Sequence, residues 1–185
     1  MQVSCHRPLI SFKLAHCLLT SQSGTVAGTK YGVAKSASVH AVKVLGDNGS
    51  GSTSDVIKGV EYAVSFHLSA RKRRGHKGSV ANMSLGGGKS SALNKAVNAA
   101  VSAGVHFAVA AGNENADACG SSPASAENVI TVGASDFVDQ RASFSNWGKC
   151  MDILAPGVDI VSTYIGSAHA TESLQGTSMA RYVSC

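Results

Sequence analysis

An α/β fold on a mostly parallel sheet is predicted by three features of the sequence. From about Gly24 onward, short β-branched and apolar runs alternate with longer helical ones. Two late runs, His106–Ala111 and Val129–Ala134, are nearly continuous in apolar residues, as in strands covered on both faces. The helical runs between strands repeat their apolar residues at spacings of three and four, which gives each a single buried stripe. Strand, helix, strand, helix, strand implies right-handed crossovers, with ligands at the carboxyl ends of the strands.

The elements follow in order. Ser38–Leu45 is the first strand, with Val39, Ala41, Val42, Val44 and Leu45 as its apolar surface. A turn-rich stretch, Gly46–Ser54, leads into a helix over Asp55–Ser69 that Ser54 can cap and that buries Ile57, Val60, Val64 and Leu68. Val80–Leu85 is the next strand. The second helix, Ser91–Ala103, buries Leu93, Ala96, Val97, Ala100 and Val101 and stops at Gly104, where a left-handed cap is easily formed. Met1–Gln22 has one apolar patch, Leu9–Leu19, interrupted by Lys13 and His16, and makes a poor signal peptide. This segment is not expected to belong to the fold.

Composition removes several functional classes. With 185 residues, 44% hydrophobic and 15% charged, the chain is no charge-rich disordered polymer. No apolar run approaches the roughly 18 residues of a membrane-spanning helix, so no membrane partner is expected. The net charge of +5 resides in one stretch: Arg71, Lys72, Arg73, Arg74 and Lys77 are five of 16 basic residues, leaving eleven to balance eleven Asp and Glu. No aromatic residue interleaves with them to stack on bases, so a solvated basic loop, or a docking or processing site, is expected and nucleic-acid binding is not. Five cysteines lack the C-x-x-C spacing of a zinc site. Cys119 and Cys150 flank a strand-like run and suit either a disulfide in an oxidising compartment or two buried thiols.

Three segments at strand ends could carry chemistry. In Gly176-Thr177-Ser178-Met179-Ala180 a serine follows a glycine turn at a helix start, an arrangement that exposes the hydroxyl for acyl transfer; a helix-capping serine is the plainer alternative. In Ala108–Asn115 a buried strand runs into Gly112-Asn113, where the side-chain amide could donate to an oxyanion or simply tolerate a left-handed turn. In Asn82–Gly88 the glycines after a strand leave its edge bare for an extended peptide. The segment lacks the spacing of a phosphate-binding loop.

At these segments the sequence resembles the subtilisin-like serine proteases, specifically the proteinase K branch and its cerevisin-like fungal vacuolar members. The resemblance runs from about Ser23 to Ala180. It includes YGVAK (Tyr31–Lys35), VKVL (Val42–Leu45), KGVEYAV (Lys58–Val64), NMSLGGGKS (Asn82–Ser90), NAAVSAGVHFAVAAGNENADAC (Asn98–Cys119), SPASAENVITVGASD (Ser122–Asp136), FSNWGKCMDILAPG (Phe144–Gly157) and GTSMA (Gly176–Ala180). It implies a three-layer subtilisin-like fold, incomplete at both ends, with a partial peptidase domain over 23–180 and a tail over 181–185 outside the family pattern.

By position, the resemblance assigns Ser178 as nucleophile and Asn113 as oxyanion donor. Ser84, Leu85 and Gly86 become the strand that pairs with substrate, and Ala111 and Gly112 the lining of the pocket for the residue preceding the scissile bond. Asp152, with the carbonyls of Glu127 and Val129, falls where relatives hold structural calcium, though an Asp capping a strand end without metal is an equal alternative. Cys119 and Cys150 match a disulfide pair of this branch. A peptide or protein substrate, a pro-segment or protease inhibitor, and a vacuolar or secreted location are implied as well.

The pattern breaks at two catalytic positions. Leu18 falls where the family has its His, and the first Asp in the chain is Asp47, well past the family's Asp strand. His16 lies two residues from the expected place and lacks the flanking glycine. After Ala180 the chain reads Arg181-Tyr182-Val183-Ser184-Cys185 where the family continues into a long helix. The expectation is a fragment of a serine endopeptidase, inactive or impaired for lack of the triad's Asp and His, or else a non-catalytic peptide-binding protein.

Overall fold

The computed structural model describes residues 2–4, 15–167 and 169–181, with side chains from residue 20 onward. In chain order the elements begin with β1 (Gln2–Ser4), α1 (Ala15–Ala27), β2 (Val39–Ala41), α2 (Thr53–Ala70), β3 (Ser79–Met83), β4 (Gly87–Gly88), α3 (Ser91–Ser102) and β5 (Val105–Ala110). A short 3-10 turn (Ala118–Gly120) follows, then β6 (Ser121–Ser122), β7 (Ile130–Ser135), β8 (Ile153–Pro156), β9 (Ile160–Thr163), β10 (Thr171–Leu174) and α4 (Thr177–Ala180). The main sheet has the order β2-β1-β3-β5-β7-β8. Strands β3, β5, β7 and β8 are mutually parallel, while β1 runs antiparallel to both its neighbours.

Alternation along β5 divides the layers. Val105, Phe107 and Val109 point into a core shared with Val56, Val60 and Ala63 of α2 and Leu93, Val97 and Ala100 of α3. Ala110 pairs with Val132, which points the other way, into a second cluster that contains Ala180 of α4. Helices therefore cover both faces, and α1 is tied to the β9–β10 hairpin: Thr25 Oγ1 donates to Ser162 Oγ at 2.9 Å, and Ser162 Oγ to the Ser21 carbonyl at 2.7 Å.

The differences from the expected elements have local causes. β2 is three residues long because the β1 segment beside it supplies only Gln2, Val3 and Ser4 as partners for Ala41, His40 and Val39. β3 leaves the ladder after Met83, which pairs with Val109, so Leu85 lies outside the strand. α2 is capped by Ser52, whose hydroxyl accepts from the Asp55 N–H, and not by Ser54, which lies inside the first turn.

The buried stripe of α2 is Val56, Gly59, Val60, Ala63, His67 and Ala70; Ile57, Val64 and Leu68 lie beside it, half-buried. Small residues draw the helix onto the sheet: a Cβ at Gly59 would lie 2.3 Å from Val44 Cγ1. The expected boundary between residues 22 and 23 falls within α1, where Ser21 and Gln22 are both buried.

Candidate active site

The site forms where β3 and β5 end side by side. A cleft of about 470 Å³ is lined by Ser84, Leu85, Gly86, Gly112, Asn113 and Ser178 among others. Three segments up to 94 residues apart in sequence thus share one wall. The parallel register of β3 and β5 carries Ser84–Gly86 and Gly112–Asn113 to the same edge, and the packing of α4 against β7 brings up Ser178, which is half-exposed.

Asn113 is exposed, yet its amide is oriented. Its Oδ1 accepts from the Thr177 N–H at 2.9 Å and from Thr177 Oγ1 at 3.0 Å, while Thr177 Oγ1 itself accepts from the Gly112 N–H at 3.3 Å. With the carbonyl end used twice, the two donors on Nδ2 are not needed to hold the side chain. Thr177 is wholly buried, so the residue preceding the serine anchors the amide.

The loop from Ala111 to Ala116 is held from behind by Asn146, a residue with no role among the sequence expectations. Asn146 Nδ2 donates to the Ala111 carbonyl at 2.9 Å and to Glu114 Oε2 at 2.8 Å. Its Oδ1 accepts from the N–H groups of Glu114 at 3.0 Å and Ala116 at 2.9 Å, and its own N–H reaches the Gly112 carbonyl at 3.0 Å. Gly112 has φ +108°, and a Cβ there would lie 2.2 Å from Asn146 Nδ2, so only glycine fits between the two. The sole signal in the sequence was the position of Asn146 within FSNWG.

Ala111 departs from the expected arrangement. It is fully buried, and Ala110 together with Gly112 lines the cleft in its place. Ala111 spends its backbone on structure: its N–H donates to the Val132 carbonyl at 2.9 Å while its carbonyl takes the Asn146 bond. Beyond Ser84, Leu85 is half-buried and Gly86 exposed, and no atom lies within 4 Å of a Cβ built at Gly87 or Gly88. Gly87 and Gly88 pair with Ser122 and Ser121 of β6, so Gly86 and Gly87 form one border of the cleft.

Two further expected groups lie outside the cleft. Cys119 and Cys150 form a disulfide, with Cα atoms 5.3 Å apart, next to the loop that Asn146 holds. Asp152 is exposed at the start of β8; its Oδ2 accepts from the Thr131 N–H at 2.7 Å, which keeps the carboxylate against the strand that follows Glu127 and Val129. A carboxylate and backbone carbonyls are the hard oxygen donors that calcium prefers. Among the described residues no cluster of three or more His, Cys, Asp or Glu could hold a metal. The side chains of His16 and Leu18, and Tyr182–Cys185, lie outside the described residues. No histidine lines the cleft among the described residues.

The model of the Subtilase family matches residues 11–181. A subtilisin-like serine protease of Cochliobolus lunatus is 64% identical over 171 residues, covering 89% of this chain and 33% of that protein. Cerevisin of Saccharomyces cerevisiae is 65% identical over 167 residues, covering 89% of this chain and 26% of its own length. The crystal structure of a cold adapted subtilisin-like serine proteinase superposes with a TM-score of 0.81 at 45% identity, over 90% of this chain and 57% of that one. The chain spans about a third or less of the two sequence relatives. Matched over 171 consecutive residues by the family model and over nine tenths of its length by a solved relative, this chain belongs to the subtilase family.

Proposed function

We propose that the cleft is a serine endopeptidase site in which peptide lies along Ser84-Leu85-Gly86, Ser178 is the nucleophile and Asn113 the oxyanion donor. The observation that carries this reading is the pair of hydrogen bonds from Thr177 to Asn113 Oδ1, which leaves the Nδ2 donors uncommitted in a residue that lines the same cleft as Ser178. Attack of Ser178 Oγ on a peptide carbonyl carbon places negative charge on the carbonyl oxygen, and an oriented amide donor stabilises that charge with no reorganisation. Gly112 and Ala110 line the same cleft and would bound the side chain preceding the scissile bond.

Attack also requires that the Ser178 proton be taken up, and Leu18 stands where the resemblance places the family's His. Turnover by this chain is therefore impaired, to the residual 10³- to 10⁴-fold or so over water that binding and an oxyanion donor sustain in a triad enzyme without its base. Asp152 with the carbonyls of Glu127 and Val129 would hold a structural calcium, whose charge would tie the start of β8 to the turn before β7. The Cys119–Cys150 bond suits an oxidising compartment, in keeping with a vacuolar or secreted protein. A pro-segment or inhibitor would dock on the same edge as substrate.

The test pairs a fluorophosphonate probe with peptide binding. Slow labelling at Ser178, abolished in Ser178→Ala and slowed about 10²-fold in Asn113→Ala, is expected. Peptide affinity should survive Ser178→Ala. Labelling as fast as that of an intact triad protease would overturn the impairment, and no labelling together with no peptide affinity in a folded sample would overturn the site.

A further inference from the structure

We infer that the turn joining α2 to β3 is an endoproteolytic processing site, cut by a protease that reads paired basic residues, with Arg74–Gly75 as the principal bond. The inference is independent of the activity proposed for the cleft. Arg71-Lys72-Arg73-Arg74 holds every adjacent pair of Lys or Arg in the 185 residues. All four side chains are exposed, as are Gly75 and Lys77. Among the described residues the ion pairs are Lys43–Asp47 and Lys58–Asp55, so no carboxylate is bound to the cations of this turn.

The backbone there is equally accessible. Between the end of α2 and the start of β3 the backbone bonds are Arg71 N–H to the His67 carbonyl at 2.9 Å, Arg73 N–H to the Ala70 carbonyl at 2.9 Å and His76 N–H to the Arg73 carbonyl at 3.3 Å, and His76 Nε2 lies 3.4 Å from Ser79 Oγ. Gly75 and Gly78 have φ of +90° and +144°, and nothing lies within 4 Å of a Cβ built at either. A protease must draw several residues into an extended conformation, and exposed tips with few bonds yield most readily. A polyanion would need a broad basic face instead, and the charge outside this turn is balanced.

Hydrolysis adds one water across the Arg74–Gly75 bond: the Arg74 carbonyl carbon gains the oxygen and becomes a carboxylate, and Gly75 leaves as a free ammonium group. The two pieces remain together. Val56, Val60 and Ala63 of α2, in the first piece, pack in one core with Ala81, Val97 and Phe107 of the second. The Cys119–Cys150 bond lies wholly within the second piece. The product is a two-chain molecule held by its core, with a new carboxylate and a new ammonium at the end of the sheet opposite the cleft.

The test treats the folded, full-length chain with an endoprotease specific for paired basic residues, without denaturant, and maps products by mass. A single cut between residues 71 and 75 is expected, giving two fragments that co-elute at the size of the intact chain and separate only in denaturant. The double variants Arg73→Gln/Arg74→Gln and Lys72→Gln/Arg73→Gln should lose or displace the cut while keeping the parent Tm. Resistance of the folded chain, with cutting at this turn only once it is unfolded, would overturn the proposal. So would resistance accompanied by salt-sensitive binding of a heparin oligosaccharide, which would reassign the turn to polyanions.

Discussion

The two ends of the parallel strands are built on opposite plans. At the carboxyl ends of β3 and β5 the connecting loops are pinned by side chains: Asn146 takes part in five hydrogen bonds to residues 111–116, Thr177 fixes the Asn113 amide, and a disulfide closes over residues 119–150. At the amino ends, the turn before β3 is held mainly by short-range backbone bonds and carries five cations above a buried histidine. Under the proposed function, position must be held at the first end, because an oxyanion donor acts only if it is already aimed where charge develops. The second end has no such requirement, so the chain there is free to be open and charged.

The contrast yields predictions of graded size. Reduction of Cys119–Cys150 releases a loop with a sequence separation of 31, and the chain-entropy account puts the loss near 3–4 kcal/mol. Denaturant unfolding of oxidised and reduced protein measures it, and a difference under about 1 kcal/mol would remove the disulfide from the set of pins. Asn146→Ala leaves the N–H groups of Glu114 and Ala116 and the Ala111 carbonyl without their partner, a destabilisation of about 3 kcal/mol. Probe labelling at Ser178 should slow in the same variant under conditions where it remains folded. A variant as stable and as reactive as the parent would mean that the loop holds its shape without Asn146.

Gly59→Ala sharpens the comparison midway along the sheet. The added Cβ meets Val44 Cγ1 at 2.3 Å, and overpacking of that kind costs about 2 kcal/mol. The smallest effect concerns pH. Burial, assisted by the neighbouring charges of His76, Arg71 and His106, holds the His67 pKa below its ordinary value of 6.5. His67 Nδ1 lies 3.0 Å from Ser79 Oγ, and Ser79 is buried beneath the basic turn. The folded state binds fewer protons than the unfolded one, so this stability is present above pH 6.5 and is lost as pH falls through that value toward the folded pKa. Tm should drop on acidification, and His67→Gln should flatten the profile. An unchanged slope would show that other groups carry the pH dependence.

Most of the strand and helix order was legible because hydrophobic period survives in a single sequence. The helix starts at Ser91 and its stop at Gly104 were readable from local chemistry, since Gly104 takes φ +100° where a side chain is strained. The stripe of α2 was misread by about one residue, because glycine and alanine at 59 and 63 count for little in an apolar pattern although they set how closely the helix approaches. Ala111 was misplaced for a related reason: position next to a motif does not say which way a residue faces.

Ser178, Asn113, the segment Ser84–Gly86 and the basic turn at 71–77 stand out in the sequence alone, since each is a local arrangement of residue types. Only the tertiary structure decided that Asn146 holds the loop and that Thr177 anchors the Asn113 amide. Those roles depend on hydrogen bonds between residues 30 to 65 positions apart, and no local pattern encodes which distant atom an amide will meet once the sheet has closed.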